Sequence, residues 1–365
     1  MYNPQEIAIY IHWPFCKSKC PYCDFYKEIN PKVNQDEIIS EYLKYLEYYH
    51  KLTADRTVKS IFFGGGTPSL IEPRLIEKII SFIEKKWKLK NHIEISLEAN
   101  PNSNRLNMFS ELKNAGINRL SLGVQSLTET NLRFLGRTHT AEQAKKCLQE
   151  VVKIFDNHSA DLIYALPEQN LSEWEKELAE ISDFGLKHIS LYQLTIEENT
   201  VFARKNIKPL NEDEAANLYT FTCSFLHEKA YEQYEISNFA KEGFQSGHNL
   251  TYWEGGDYIG IGKSAHGRLF LHGNHIACEY PLQHTKLTAE ERAEELIIMG
   301  LRLNKGINKS VFSQICGLNF TEFVNKTKFN FLKENHFLTE TDTNVYATAS
   351  GRLVLNTLIE NLCQR

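Results

Sequence analysis

Six short β-rich runs, each followed by a turn and a helical pattern, constrain this chain more than any other feature. They are Ile7–Ile11, Ser60–Phe63, Ile93–Leu97, Arg119–Val124, Leu162–Leu166 and His188–Tyr192. Between them, Asp36–Tyr49, Pro73–Trp87, Arg105–Ala115, Thr140–Phe155 and Ser172–Phe184 carry apolar residues at a 3.6-residue period. Pro73 suits a first helical position, Thr140 and Ser172 resemble N-caps, and Gly116 and Gly185 look like helix stops. Strand and helix in alternation imply an α/β fold with parallel pairing through right-handed crossovers. Six such units suit either a partial barrel or an open doubly wound sheet. In both, ligands gather beyond the carboxyl ends of the strands, so unusual residues should follow the strands.

The alternation fades near residue 200. Residues 201–287 hold one helical stretch, Glu212–Lys229, and then a Gly- and His-rich connection. From 288 to 365 helices Lys309–Cys316 and Thr321–Glu334, a short Thr-rich run and a closing helix Ala349–Leu362 predict a small, mostly helical, winged-helix-like domain. At 365 residues, one large domain over 1–200 with smaller parts after it is the natural division. A net charge of −5 gives no basic field, and with no basic face on the last domain, nucleic acid is not an expected partner. No apolar run is long enough to span a bilayer, and MYNPQEIAIY has neither the basic nor the apolar region of a signal peptide. A cytoplasmic location, where thiols stay reduced, is therefore expected.

Reduced thiols change how the eight cysteines read. Cys147, Cys223, Cys278, Cys316 and Cys363 are scattered singly and read as small buried hydrophobes. Cys16, Cys20 and Cys23 instead fall in CxxxCxxC directly after the first strand. Three thiolates on one loop can hold three irons of a cubane cluster and leave the fourth open. Zinc would want a fourth ligand, and no second CxxC is present, although His12 is nearby. The second strand ends in Gly64-Gly65-Gly66-Thr67-Pro68, where backbone can approach a ligand closely. Glu98 follows the third strand and Gln125 the fourth, and Arg137 offers a fork for a carboxylate. Asp161 opens the fifth run and is less clearly at a strand end.

CxxxCxxC with the aromatic Tyr22 before its third cysteine resembles the hallmark of the radical S-adenosylmethionine (SAM) superfamily. The resemblance implies a partial (β/α)6 barrel and a [4Fe–4S] cluster on Cys16, Cys20 and Cys23. It also implies SAM on the open iron, where electron transfer cleaves a C–S bond to a 5′-deoxyadenosyl radical. YIHxPFC, GGGTP, LEANP, GVQS, LGRxH and DLIYALP occur in the order of the coproporphyrinogen III dehydrogenase-like group, the relatives of HemN, along essentially the whole chain. Carried over from that group, Tyr10, Tyr22, Gly65, Gly66, Thr67, Glu98, Gln125, Arg137 and Asp161 would contact SAM, with Gln193–Thr195 as a further candidate stretch.

Two departures select a branch. The dehydrogenases carry CxxxCxxCxC and an N-terminal extension, whereas here the last position is Phe25 and the first strand begins by residue 7. His248-Asn249-Leu250-Thr251-Tyr252-Trp253 matches the HNxxYW motif of the heme-chaperone branch, HemW. That resemblance implies heme bound by His248, Tyr252 and Trp253, with His266, His272 and His275 as other candidate ligands. It implies heme or another tetrapyrrole and client hemoproteins as partners, and it leaves room for a homodimer and for peripheral contact with membrane hemoproteins. The rival expectation is oxygen-independent coproporphyrinogen III oxidation, a SAM-dependent oxidative decarboxylation of propionates in porphyrin biosynthesis.

Overall fold

A computed structural model describes residues 3–30, 32–101 and 107–363. The six expected strands form: β1 Glu6–Trp13, β2 Thr57–Gly65, β3 Lys88–Ala99, β4 Arg119–Gln125, β5 Asn157–Tyr164 and β6 His188–Gln193. They pair in sequence order and all in parallel. Helices α1 Gln35–Thr53, α2 Pro73–Lys86, α3 Met108–Asn114, α4 Ala141–Ile154 and α5 Leu171–Asp183 connect them. The start of the expected Arg105–Ala115 helix lies outside the described residues. Thr140 caps α4 in a box with Gln143, and Pro73 opens α2. The cap of α5 is Asn170 rather than Ser172, because the Asn170 side chain reaches the Glu173 N–H three residues on.

Strand order decides between barrel and doubly wound sheet. A doubly wound sheet reverses direction to place helices on both faces. Here six strands follow in order with no reversal, so right-handed crossovers put every helix on one face. The side chains agree with that arrangement. Ile9, Ile11, Ile61, Phe63, Ile95, Leu97, Leu120, Leu122, Ala160 and Leu162 point outward into one core with residues of α1–α5, such as Leu46, Ile79, Leu112, Leu148 and Trp174. The alternate residues are largely polar: Tyr10, Ser60, Glu94, Ser96, Glu98, Arg119, Ser121, Ser159, Asp161, His188 and Ser190. An alternating pattern on parallel strands is the mark of a sheet covered on one side and curled around a polar interior.

Both edges are extended. After α6, Glu212–Glu228, strands β7 Glu232–Glu235 and β8 Asn238–Ala240 add antiparallel to β6. After α7, Gly247–Trp253, strand β9 Tyr258–Ile261 returns parallel to β1. Strands β10 His266–Leu271, β11 Asn274–Glu279 and β12 Gln283–Leu287 then continue antiparallel, giving twelve strands in one open sheet. From α8, Ala289–Gly300, a second core forms around Ile297, Phe312, Phe320, Phe329 and Leu358. Its sheet has three strands, in which Ile307–Asn308 joins Leu338–Glu340 and Asn344–Ala347, so the short Thr-rich run forms only part of it. Arg292 on α8 donates to Gly255 O at 2.6 Å and ties this core to the turn between α7 and β9.

Candidate functional site

At the carboxyl ends of the strands one cavity of about 370 Å³ opens, a size ordinary for a small-molecule site. Cys16, Cys20 and Cys23 line it on the loop after β1, and all three thiols are free. That loop is held by a ring contact, a backbone hydrogen bond and close packing on Pro21. Tyr22 packs beside Phe202, with ring centres 6.4 Å apart, and Phe202 N donates to Pro21 O at 3.1 Å. On the other side Gly136, at φ +66°, leaves room for the Pro21 ring, which a Cβ would meet at 2.5 Å.

The chain's own donors are aimed at sulfur. Thr67 Oγ1 donates to Cys16 Sγ at 3.4 Å, and Arg137 Nη1 to Cys20 Sγ at 3.4 Å. Burial pushes the Cys16 thiol up, and the Thr67 hydrogen bond acts the other way. Gly66 makes space: a Cβ there would lie 2.9 Å from Cys16 Sγ and 2.9 Å from Phe15 O. Three free thiols, donors directed at Cys16 and Cys20, and a side-chain-free position against Cys16 form a donor set that fits an iron–sulfur cluster.

Tyr22, Gly65, Gly66, Thr67, Glu98, Gln125, Arg137 and Asp161 line the same cavity, as do Gln193, Leu194 and Thr195. Gly65 donates its N–H to Glu98 Oε2 at 3.1 Å. Burial, then repulsion from Asp161, raises the Glu98 pKa to about 8, so at neutral pH this carboxyl carries a proton. Burial raises Asp161 as well, opposed by hydrogen bonds such as those from Ser121 Oγ at 2.9 and 3.0 Å. Gln125 sits at φ +68°, where the pairing of β4 with β5 shifts register. A strained non-glycine backbone at a cavity wall is common at ligand sites. Arg137 is more occupied than expected. Its Nη2 donates to Gly123 O at 3.0 Å and to Asn100 Oδ1, Nη1 makes a marginal 3.5 Å contact to Tyr22 Oη, and the buried Nε has no partner among the described residues.

Tyr10 does not line the cavity. Its hydroxyl lies 2.9 Å from His12 Nδ1, and its ring is 6.4 Å from that of His248. His12 Nε2 faces Tyr26 O at 3.3 Å, so neither ring nitrogen of His12 is left for a metal. Asp161 lies in the second half of a strand that begins at Asn157, not at its start. Asn100, which the sequence reading passed over, lies in the cavity wall between Arg137 and Thr67.

Within the Gly- and His-rich connection, the HNxxYW stretch forms helix α7, capped by Ser246. It lies on the polar face of the sheet, where Glu94 accepts from the Gly247 and His248 N–H groups at 2.9 and 3.0 Å. His248 has no exposed surface, and Phe62 stacks on its ring at 5.0 Å. Its Nδ1 lies 2.9 Å from Ser60 Oγ and its Nε2 2.5 Å from Tyr252 Oη. An axial heme ligand needs a free ring nitrogen open to the iron, and this geometry offers none. Trp253 faces elsewhere, under the Arg302 guanidinium at 4.7 Å. His266 is exposed, His272 occupies the β10–β11 turn and His275 lies 2.6 Å from Ile315 O; none of them lines the cavity.

Comparisons with known proteins agree with this architecture. The radical SAM superfamily pattern matches residues 10–181 and the HemN C-terminal domain pattern matches residues 287–354. The heme chaperone HemW of Buchnera aphidicola is 34% identical, with 99% of each chain covered. The mitochondrial radical S-adenosyl methionine domain-containing protein 1 of Danio rerio is 33% identical, covering 98% of this chain and 87% of its own. The solved structure of coproporphyrinogen III oxidase (HemN) from Escherichia coli, a radical SAM enzyme, superposes with a TM-score of 0.82 at 20% identity, over 99% of this chain and 91% of its own. By its full-length likeness to these relatives, the chain belongs to the radical SAM superfamily, in the HemN-related group that includes the heme chaperones HemW.

Proposed function

We propose that this is a heme-trafficking protein of the HemW kind, which holds a [4Fe–4S] cluster on Cys16, Cys20 and Cys23, binds SAM in the adjoining cavity and delivers heme to hemoproteins. The observation that carries it is 34% identity over 99% of both chains to a protein described as a heme chaperone. The cavity supports the cofactor half of the reading. When bound, the cluster supplies an electron to SAM. Residues 1–200 act as the cofactor-binding barrel, 201–287 brace it and 288–365 form the HemN-type end domain. Eight cysteines outside any disulfide among the described residues suit a reducing, cytoplasmic setting.

The chain's residues have distinct tasks in this reading. Glu98, protonated at neutral pH, would offer an O–H to bound SAM, and Gln125 and Asp161 on the same cavity wall would offer it an amide and a carboxyl group. Arg137, with Nε unpartnered and Nη1 only marginally bonded to Tyr22, would offer donors to the SAM carboxylate. Phe25, 65% exposed where the dehydrogenases have a further cysteine, forms an apolar lip over the cavity mouth.

The test is anaerobic reconstitution with iron and sulfide, then heme titration and coproporphyrinogen turnover with SAM on the same sample. A stoichiometric heme complex that transfers heme to an apo-hemoprotein, without decarboxylated product, is expected. Conversion of coproporphyrinogen III with no specific heme binding would replace this reading with that of an oxidative decarboxylase.

A further inference from the structure

Arg137, Asn100, Thr67 and Cys16 form a chain of hydrogen bonds whose direction is fixed by chemistry. Arginine has donors only, so Arg137 Nη2 draws the Asn100 carbonyl oxygen toward itself. That orients the amide and leaves Asn100 Nδ2 facing Thr67 Oγ1 at 3.2 Å. The Thr67 hydroxyl accepts this N–H, so its single hydrogen is free for Cys16 Sγ at 3.4 Å. Each link thus points from the guanidinium toward the sulfur. The same Arg137 donates directly to Cys20 Sγ, so one cation serves two sulfurs, one through space and one through Asn100. Thr67 is buried and Asn100 lines the cavity, so bulk water competes poorly for either bond.

The geometry points to Asn100 as a positioning residue that aims the Thr67 hydroxyl at Cys16 and so raises the reduction potential of the cluster, an inference resting on Cys16 being a cluster ligand. The physical reason is charge. Reduction adds an electron, and hydrogen bonds to sulfur stabilise the more negative state, shifting the potential upward. Without Asn100 the Thr67 hydroxyl is free to rotate, and its hydrogen can turn to another acceptor.

The test is the midpoint potential, from anaerobic redox titration followed by electron paramagnetic resonance, of the reconstituted full chain and of Asn100→Leu, Thr67→Val and their double variant. Asn100→Leu is expected to move the potential negative, Thr67→Val to move it by a similar amount, and the double variant to move it no further than Thr67→Val alone. Asn100→Asp keeps the size and the bond to Arg137 but cannot donate, so it should also shift negative and stands in if the leucine variant does not fold. An unmoved potential in the Asn100 variants, or shifts that add in the double variant, would overturn the inference while leaving the cluster reading intact. If the wild-type chain holds no cluster under conditions where it is folded, the cluster reading falls and this inference with it.

Discussion

Ser60 Oγ lies 2.9 Å from His248 Nδ1, joining β2 to a helix 188 positions further along the chain. The contact makes His248 a peg between sheet and helix. Burial, then the charges of Lys59 and Arg119, lowers its pKa to about 3. The unfolded ring takes up a proton below about pH 6.5 and the folded ring only near 3. Its contribution to stability is therefore complete above about pH 6.5 and lost as pH falls toward 3. His248→Gln should flatten the pH dependence of unfolding by about 1.4 kcal/mol per pH unit in that window, measured by urea titration at several pH values. Heme affinity of the folded variant should stay as in wild type; its loss would restore His248 as a ligand.

Glu177 of α5 governs the turn that carries Gln125. Its Oε1 accepts from Ser126 Oγ and from Leu127 N, each at 2.5 Å, inside the protein. Glu177→Ala leaves two buried donors unsatisfied and should cost about 2–4 kcal/mol. It should also weaken SAM binding several-fold by releasing the strained Gln125 backbone. Glu177→Gln keeps an acceptor for both and should recover most of each loss, as read by denaturant unfolding and equilibrium SAM binding.

Gly66→Ala tests the cradle around Cys16. The new Cβ would come within 2.9 Å of Cys16 Sγ and of main-chain atoms of Pro14 and Phe15. Main chain cannot swing aside as a side-chain tip can, so about 1–3 kcal/mol of overpacking is expected. Iron and sulfide content should fall well below that of wild type while the folded fraction at room temperature stays high. Full cluster occupancy would contradict this.

Two ion pairs of similar length should differ sharply in worth. Arg56 Nη1 and Asp257 Oδ2 are 2.5 Å apart with side chains 8% and 1% exposed, whereas Arg74 and Asp36 are 2.6 Å apart at 57% and 54%. Arg56→Ala strands a buried carboxylate that also accepts from Phe270 N, and should cost about 3–5 kcal/mol. Arg74→Ala should cost under about 1 kcal/mol. Chemical denaturation of both variants checks the contrast.

What the sequence made legible follows from where each residue faces. Runs such as Ile7–Ile11 and Arg119–Val124 stand out because at least one face is apolar, and they mark β1 and β4 closely. The fifth strand was misplaced because Asn157, Ser159 and Asp161 are polar for the interior, which hid the strand's first half. Helix α7 escaped notice for a different reason: Gly247, Asn249, Thr251 and Trp253 are poor helix formers. What holds it is Glu94, a carboxylate 153 positions earlier, which no local pattern reveals. Asn100 before Pro101 carries no distinguishing signal in the sequence, and only its place between Arg137 and Thr67 singles it out.

The sheet separates two inheritances. Outward-facing residues such as Ile61, Leu97 and Leu122 meet the helices and set whether the chain folds. Their immediate neighbours Ser60, Glu98 and Ser121 face the interior, where a change of chemistry leaves the helical shell untouched. A lineage can therefore rewrite one letter in two along these strands and change its trade without rebuilding the house.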